Sequence, residues 1–188
     1  MTLRAIWAAA ALCVAGMAQA ETTVRPVIGA SFTAGGEKLA RVSFTDGSHQ
    51  DVRSGGLVHL FGGFEVQMDS LPLTVQANIG YHVDNSAAKN GEVRFQRWPI
   101  EVLGFFQGGD GWRFGGGVRK ANGVKLTSSG ASYIGNYDMS AKAGWVLQAE
   151  HVWPKGLSAF VRVVSEKYEV QGAEVQGRHV GVGTSYRF

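Results

Sequence analysis

Tyr81-His82-Val83-Asp84-Asn85-Ser86 brings an imidazole, a carboxylate and a hydroxyl into one short segment, the parts from which a nucleophilic site is assembled. His82, Asp84 and Ser86 are therefore the catalytic candidates of this chain. On an extended strand, period-two spacing puts His82 and Asp84 on one face, where they would serve equally well in a charged network with His179. The other chemistry-bearing residues are dispersed. Five histidines fall in different segments without metal-ligand spacing. The patterns HExxH and GxSxG do not occur, and Gly115-Gly116-Gly117-Val118-Arg119-Lys120 lacks the spacing of a phosphate loop. Neither a metal nor a cofactor is expected.

The elements that must position these residues are strands. Glycine makes up 27 of 188 residues, about twice its usual share, and glycine is poor in helix interiors. From Val24 onward, apolar and polar residues alternate with period two, the signal of half-exposed strands. Eight such stretches run Val24–Thr33, Leu57–Gln67, Leu73–Asp84, Glu92–Gln107, Trp112–Asn122, Tyr137–Trp153, Leu157–Val170 and Val175–Phe188. The joins sort by length. Met68-Asp69-Ser70, Gly108–Gly111 and Pro154-Lys155-Gly156 are tight, whereas Ala34–Gly56, Asn85–Gly91, Gly123–Asn136 and Gln171–Glu174 are longer. Short turns at one end and longer loops at the other suit an all-β, eight-stranded antiparallel up-and-down transmembrane β-barrel.

The register assigns the faces. One parity is apolar throughout, as in Val58, Leu60, Phe64 and Val66, or Val75, Ala77, Ile79, Tyr81 and Val83. No charged residue interrupts this set, and a lipid-facing Arg or Lys at mid-bilayer costs roughly 2–4 kcal/mol. The opposite parity holds Glu65, Asp84, Glu101, Glu150 and Glu166 with Arg113, Arg119, Lys142, Arg162 and Arg187. Five acids against five bases, interspersed with glycines, predict an ion-paired, filled lumen, since eight strands leave just enough room for side chains. His59, His179 and Glu166 beside Arg162 belong to the same face. A soluble barrel would reverse the faces, apolar inward. Aromatics near strand ends (Trp98, Trp112, Trp145, Tyr186, Phe188) and the sorted loops favour the membrane arrangement.

At the front, Arg4, an apolar run from Ala5 to Met17 and then Ala18-Gln19-Ala20 are laid out as a secretory signal peptide, so residues 1–20 are expected to be removed and 21–188 to form the barrel. The single cysteine, Cys13, lies in that leader, which leaves the exported part without thiol or disulfide. The formal charge of +3 forms no basic cluster, so no nucleic-acid partner is expected.

The ending Val180-Gly181-Val182-Gly183-Thr184-Ser185-Tyr186-Arg187-Phe188 resembles the C-terminal assembly signal of bacterial outer-membrane barrels, carried here by Tyr186 and Phe188. With the leader and the eight strands, the chain resembles the small eight-stranded outer-membrane proteins of the opacity and OmpA-like group. That resemblance implies a Gram-negative outer membrane, insertion by the barrel-assembly machinery, surrounding outer-membrane lipid and lipopolysaccharide, and Phe188 at the periplasmic rim. The group holds adhesins, structural anchors and a few enzymes, so it implies no single activity. A lipid A deacylase of this type would present a His-x-Ser pair on its lipid-facing wall. Here Asp84 stands where that serine would be, and His82 has the inward parity.

On this orientation the segment Glu37–Arg53 is external. Lys38–Phe44 alternates, Asp46-Gly47 is a favoured two-residue turn and Ser48–Val52 returns, so a hairpin rising above the membrane is expected to offer a surface to an extracellular partner. The functional reading is a monomeric outer-membrane barrel with a structural or surface-interaction role. The alternatives are a lipid A-modifying enzyme and a narrow passive channel.

Overall fold

The computed structural model describes residues 22–188 apart from 44–48, 69–70, 89–90 and 131. The leader, the Asp46-Gly47 turn and part of the Met68-Asp69-Ser70 turn lie outside the described residues.

Eight long strands close on themselves. They are β1 (Thr22–Gly35), β4 (Leu57–Met68), β5 (Leu73–Ala88), β6 (Gly91–Gln107), β7 (Trp112–Gly130), β8 (Tyr137–Val152), β9 (Leu157–Val170) and β11 (His179–Arg187). Each pairs antiparallel with the next, and β11 returns to β1 through the register Val27↔Arg187 to Gly35↔His179. Closure leaves these strands no free edge through the central wall, which is what lets a sheet cross lipid. Two further strands, β2 (Lys38–Ser43) and β3 (His49–Arg53), form a separate hairpin between β1 and β4, and the short β10 (Ala173–Gln176) pairs with the end of β9.

The central part of the barrel is polar inside and apolar outside. Phe32, Phe64 and Val118 are 68%, 60% and 60% exposed, while Arg97, Arg113 and Arg119 are at most 1% exposed. A soluble barrel would reverse this, so the alternation resolves in favour of the transmembrane arrangement. On β6 the band runs from Trp98 to Phe106 on the outward parity. Eight steps of about 3.3 Å at a tilt near 40° span roughly 20 Å, close to the apolar height of such barrels. Aromatic side chains mark both rims. Tyr81 packs on Trp98 at 4.8 Å between ring centroids at one, and at the other His151 meets Trp112 edge-on and Trp153 at a tilt while Tyr186 meets Phe188 edge-on.

Beyond the Trp98 rim the polarity inverts. Val93, Phe95, Val124, Leu126 and Tyr168 point inward into an apolar core, while Glu92, Arg94, Lys125 and Lys167 face out. On β6 and β9 the inward parity is kept and only the residue types change, whereas two β-bulges reset the parity of β7 and β8. One adds a residue to β7 between Asn122 and Lys125, and the other adds one to β8 between Lys142 and Trp145. Two expectations change. Strand β7 continues to Gly130, so most of the join expected at Gly123–Asn136 is strand. The final stretch is broken at Gly177-Arg178 instead of running unbroken from Val175.

Candidate functional site

Inward-facing residues of every long strand meet on the barrel axis, where period-two spacing delivers one side chain per two residues from each wall. Glycines make room for the aromatic members. A Cβ on Gly29 would stand 2.3 Å from the Phe61 ring, and one on Gly115 would stand 2.5 Å from Phe105.

Toward Phe188 the network is a square of two arginines and two glutamates. Arg113 donates through Nη1 to Glu65 at 2.5 Å and through Nε to Glu150 at 2.9 Å, and Arg187 donates through Nε to Glu65 at 2.9 Å and through Nη2 to Glu150 at 2.5 Å. Gln148 joins this square to an upper group. Its Nε2 donates to Glu150 at 3.1 Å, while its Oε1 accepts from Arg162 Nε at 3.0 Å and Nη2 at 2.6 Å. Arg162 and Arg119 share Glu101, at 3.2 and 2.6 Å. Arg119 also donates to Glu166 at 3.0 Å, and Arg97 lies 3.5 Å from the other oxygen of Glu166. Phenylalanine rings back the guanidiniums: Phe105 lies 4.2 Å from Arg113, and Phe160 lies 4.9 Å from Arg162.

Eight of the nine residues expected in this network therefore meet: Glu65, Glu101, Arg113, Arg119, Glu150, Arg162, Glu166 and Arg187. Lys142 does not. The bulge in β8 turns it outward, where it is half exposed and pairs with Glu174 and Glu169. Arg97, unnoticed in the sequence, takes its place in the lumen, so five arginines still face Glu65, Glu101, Glu150, Glu166 and Asp84. Arg97 shares the parity of Glu101 four residues on, and that was the available signal. Gln148 carried none, because an amide has no charge to balance.

The catalytic candidates are brought near the lumen's upper end but are engaged otherwise. Arg119 Nη2 donates to His82 Nδ1 at 3.0 Å, and His82 Nε2 lies 2.8 Å from Thr33 Oγ1. Asp84 accepts from the backbone N–H of Arg53 at 2.8 Å, and Ser86 donates to Gln50 Oε1 at 3.1 Å. Asp84 and Ser86 thus hold the β2–β3 hairpin in place, and neither reaches the His82 ring. Ligand atoms of His82, Glu166 and His179 lie within 4.8 Å of one another, the one such group among the described residues. With Arg119 and Arg97 both at the His82 nitrogens, at 3.0 and 3.3 Å, a further cation there is opposed by two charges.

The hairpin does not rise from the mouth as an open loop. Ala40, Val42 and Val52 fold down onto Val93, Phe95, Leu126 and Tyr168 and cover the lumen. Burying the two valines is worth about 1.5–3 kcal/mol each. Its base is tied by Ser54 Oγ donating to Gln176 O at 2.6 Å and Glu37 N donating to Gln176 O at 3.0 Å. The outer face keeps Arg41 paired with Asp51 at 2.7 Å, and that hydrogen bond, more than burial, sets the Asp51 carboxyl below the usual range. At the opposite end a vestibule of about 500 Å³ opens above the Arg113–Arg187 square.

No family model matches the chain, and no curated protein matches it. Among solved structures it is similar to Ail, the attachment invasion locus protein of Yersinia pestis, in complex with the heparin analogue sucrose octasulfate. The TM-score is 0.51 at 11% identity, covering 89% of this chain and 99% of that one. At that identity the likeness bears on fold alone, and that fold is the eight-stranded transmembrane β-barrel.

Proposed function

We propose that this protein is a monomeric outer-membrane barrel of a Gram-negative bacterium. Exported behind a cleaved leader and inserted by the barrel-assembly machinery through Tyr186 and Phe188, it presents its hairpin end to an extracellular partner. The observation that carries this reading is the double inversion of polarity: an apolar outer band with a charged lumen, then a polar outer wall with an apolar core beyond Trp98. Such a distribution suits a chain half in lipid and half in water. Outer-membrane lipid and lipopolysaccharide are its surroundings, with Phe188 at the periplasmic rim.

The partner surface is the outer face of the hairpin, where, among the described residues, Lys38, Arg41 and Arg53 stand around the carboxylate of Asp51. A polyanionic surface glycan has the matching charge, and the neighbouring structure holds a sulfated sugar. The test is titration of the protein in nanodiscs with a sulfated oligosaccharide, in wild type and in the triple variant K38A/R41A/R53A. Saturable, salt-sensitive binding lost in the triple variant supports the reading, and equal binding by both overturns the assignment to this face.

The channel alternative is disfavoured by the continuous ion network under an apolar lid. The enzyme alternative is disfavoured because Asp84 and Ser86 are spent on the hairpin. Mass spectrometry of lipid A from matched cells with and without the protein decides the latter: a discrete mass change that disappears on His82→Ala would bring the enzyme forward.

A further inference from the structure

The outer wall formed by β7, β8, β9 and β11 is not smooth. Ala149 stands on the outward parity where its neighbours carry Phe114, Leu147 and Val161, and an apolar trough of about 530 Å³ lies over it. A second hollow of about 510 Å³ lies nearer the hairpin end and contains Trp145, Ser165 and Arg178. Both are lined by Val163 and Val180, so they run into one another along β9 and β11.

The head of this trough carries unpaired charge. Among the described residues, cations farther out on the wall have carboxylate partners: Arg94 with Glu92 at 2.8 Å, Lys125 with Asp138 at 3.2 Å, and Lys142 and Lys167 with Glu174. Arg178 and Lys120 are exposed and make no such pair. Lys120 pairs with Ile100, just inside the Trp98 rim, and Arg178 lies one residue before β11 begins. Trp145 pairs with Ser165 on β9 and with Val118 on β7, Lys120 is two residues beyond Val118 on the same outward face, and Arg178 precedes His179, which pairs with Val164. From β11 to β7 there are three inter-strand spacings, about 14 Å. Two free cations so separated, with an indole between them and an apolar trough below, complement a compact headgroup bearing two phosphates over several acyl chains.

We infer that the Arg178–Trp145–Lys120 rim and the trough below it form a specific site for one multiply phosphorylated, multiply acylated lipid of the outer leaflet. The inference rests on the membrane reading above and goes beyond it. General solvation of the band needs only apolar exterior, whereas this site needs two unpaired cations flanking one indole and an apolar hollow beside them. A lipid with a single phosphate satisfies one cation and leaves the other alone.

The test is native mass spectrometry of the protein released from phosphatidylcholine nanodiscs doped equally with bisphosphorylated lipid A and phosphatidylglycerol. Wild type is expected to retain lipid A in preference. R178A and K120A should each lower retention about five-fold, as expected for one basic residue at a charged membrane surface. A149F, which fills the trough, should lower it while both cations remain, and K125A should change nothing. Circular dichroism checks that each variant is folded. Equal retention of the two lipids by wild type, or undiminished lipid A on R178A/K120A, overturns the inference while leaving the barrel in the membrane. Failure of folded wild type to enter the discs overturns the membrane reading, and this site with it.

Discussion

Arg119 has the most consequential contacts in the lumen, since its three nitrogens serve Glu166, Glu101 and His82. In Arg119→Met, Glu101 keeps Arg162 but Glu166 is left with Arg97 at 3.5 Å. Breaking one member of a buried ionic group costs about 3–5 kcal/mol, so the variant is expected to lose that much in urea unfolding from detergent or lipid, while Lys142→Ala loses nothing measurable. Asp51 gives a prediction in pH. Its carboxyl is depressed by Arg41, so its contribution to stability is present above the ordinary carboxylate range and is lost as pH falls through the lowered value. A carboxyl NMR titration should place its midpoint below the ordinary aspartate value, and Arg41→Ala should raise it. At this scale, eight of the nine charges that parity assigns to the lumen network lie in it, because inward spacing survives wherever the strand is regular. Lys142 was misplaced because one inserted residue flips every side chain beyond it.

The β2–β3 hairpin is the element that closes the barrel, and its underside does so with apolar contact. Val52→Asp puts a charge against Phe95 and Tyr168 in a site now fully dry. With Leu126→Cys placed beneath the hairpin, a water-soluble maleimide should label slowly in the otherwise native protein and fast once Val52→Asp is added. Equal slow labelling would mean that other residues seal the mouth. The alternation of Lys38–Phe44 with Ser48–Val52 was legible as a hairpin. Its direction was not, because the buried Ala40, Val42 and Val52 face a core assembled from β6, β7 and β9, far away in sequence. Strand β7 was cut short for a related reason: the bulge after Asn122 interrupts the alternation, and an interrupted period looks like a strand end.

For the whole molecule, the two faces of the wall predict labelling and conductance. Val161→Cys should resist a water-soluble reagent in lipid, being on the band. Strong labelling at that position, with none at Arg162→Cys, would invert the assignment of faces. Planar-bilayer recordings should show no steady openings of porin size, since the network from Arg187 to Arg97 is continuous and the hairpin lies over it. Such openings would require the lid and at least one layer of the network to move together.

Alternation, turn spacing and charge parity are local properties of a chain with a two-residue repeat, and they were enough to set the strand number, the closed antiparallel class and which parity is charged. The tertiary structure decided what depends on partners from different strands. It set which arginine meets which glutamate, joined two clusters through Gln148, exchanged Lys142 for Arg97, and folded the β2–β3 hairpin inward. Those outcomes follow from register and bulges, which fix distances across the barrel that no single strand encodes.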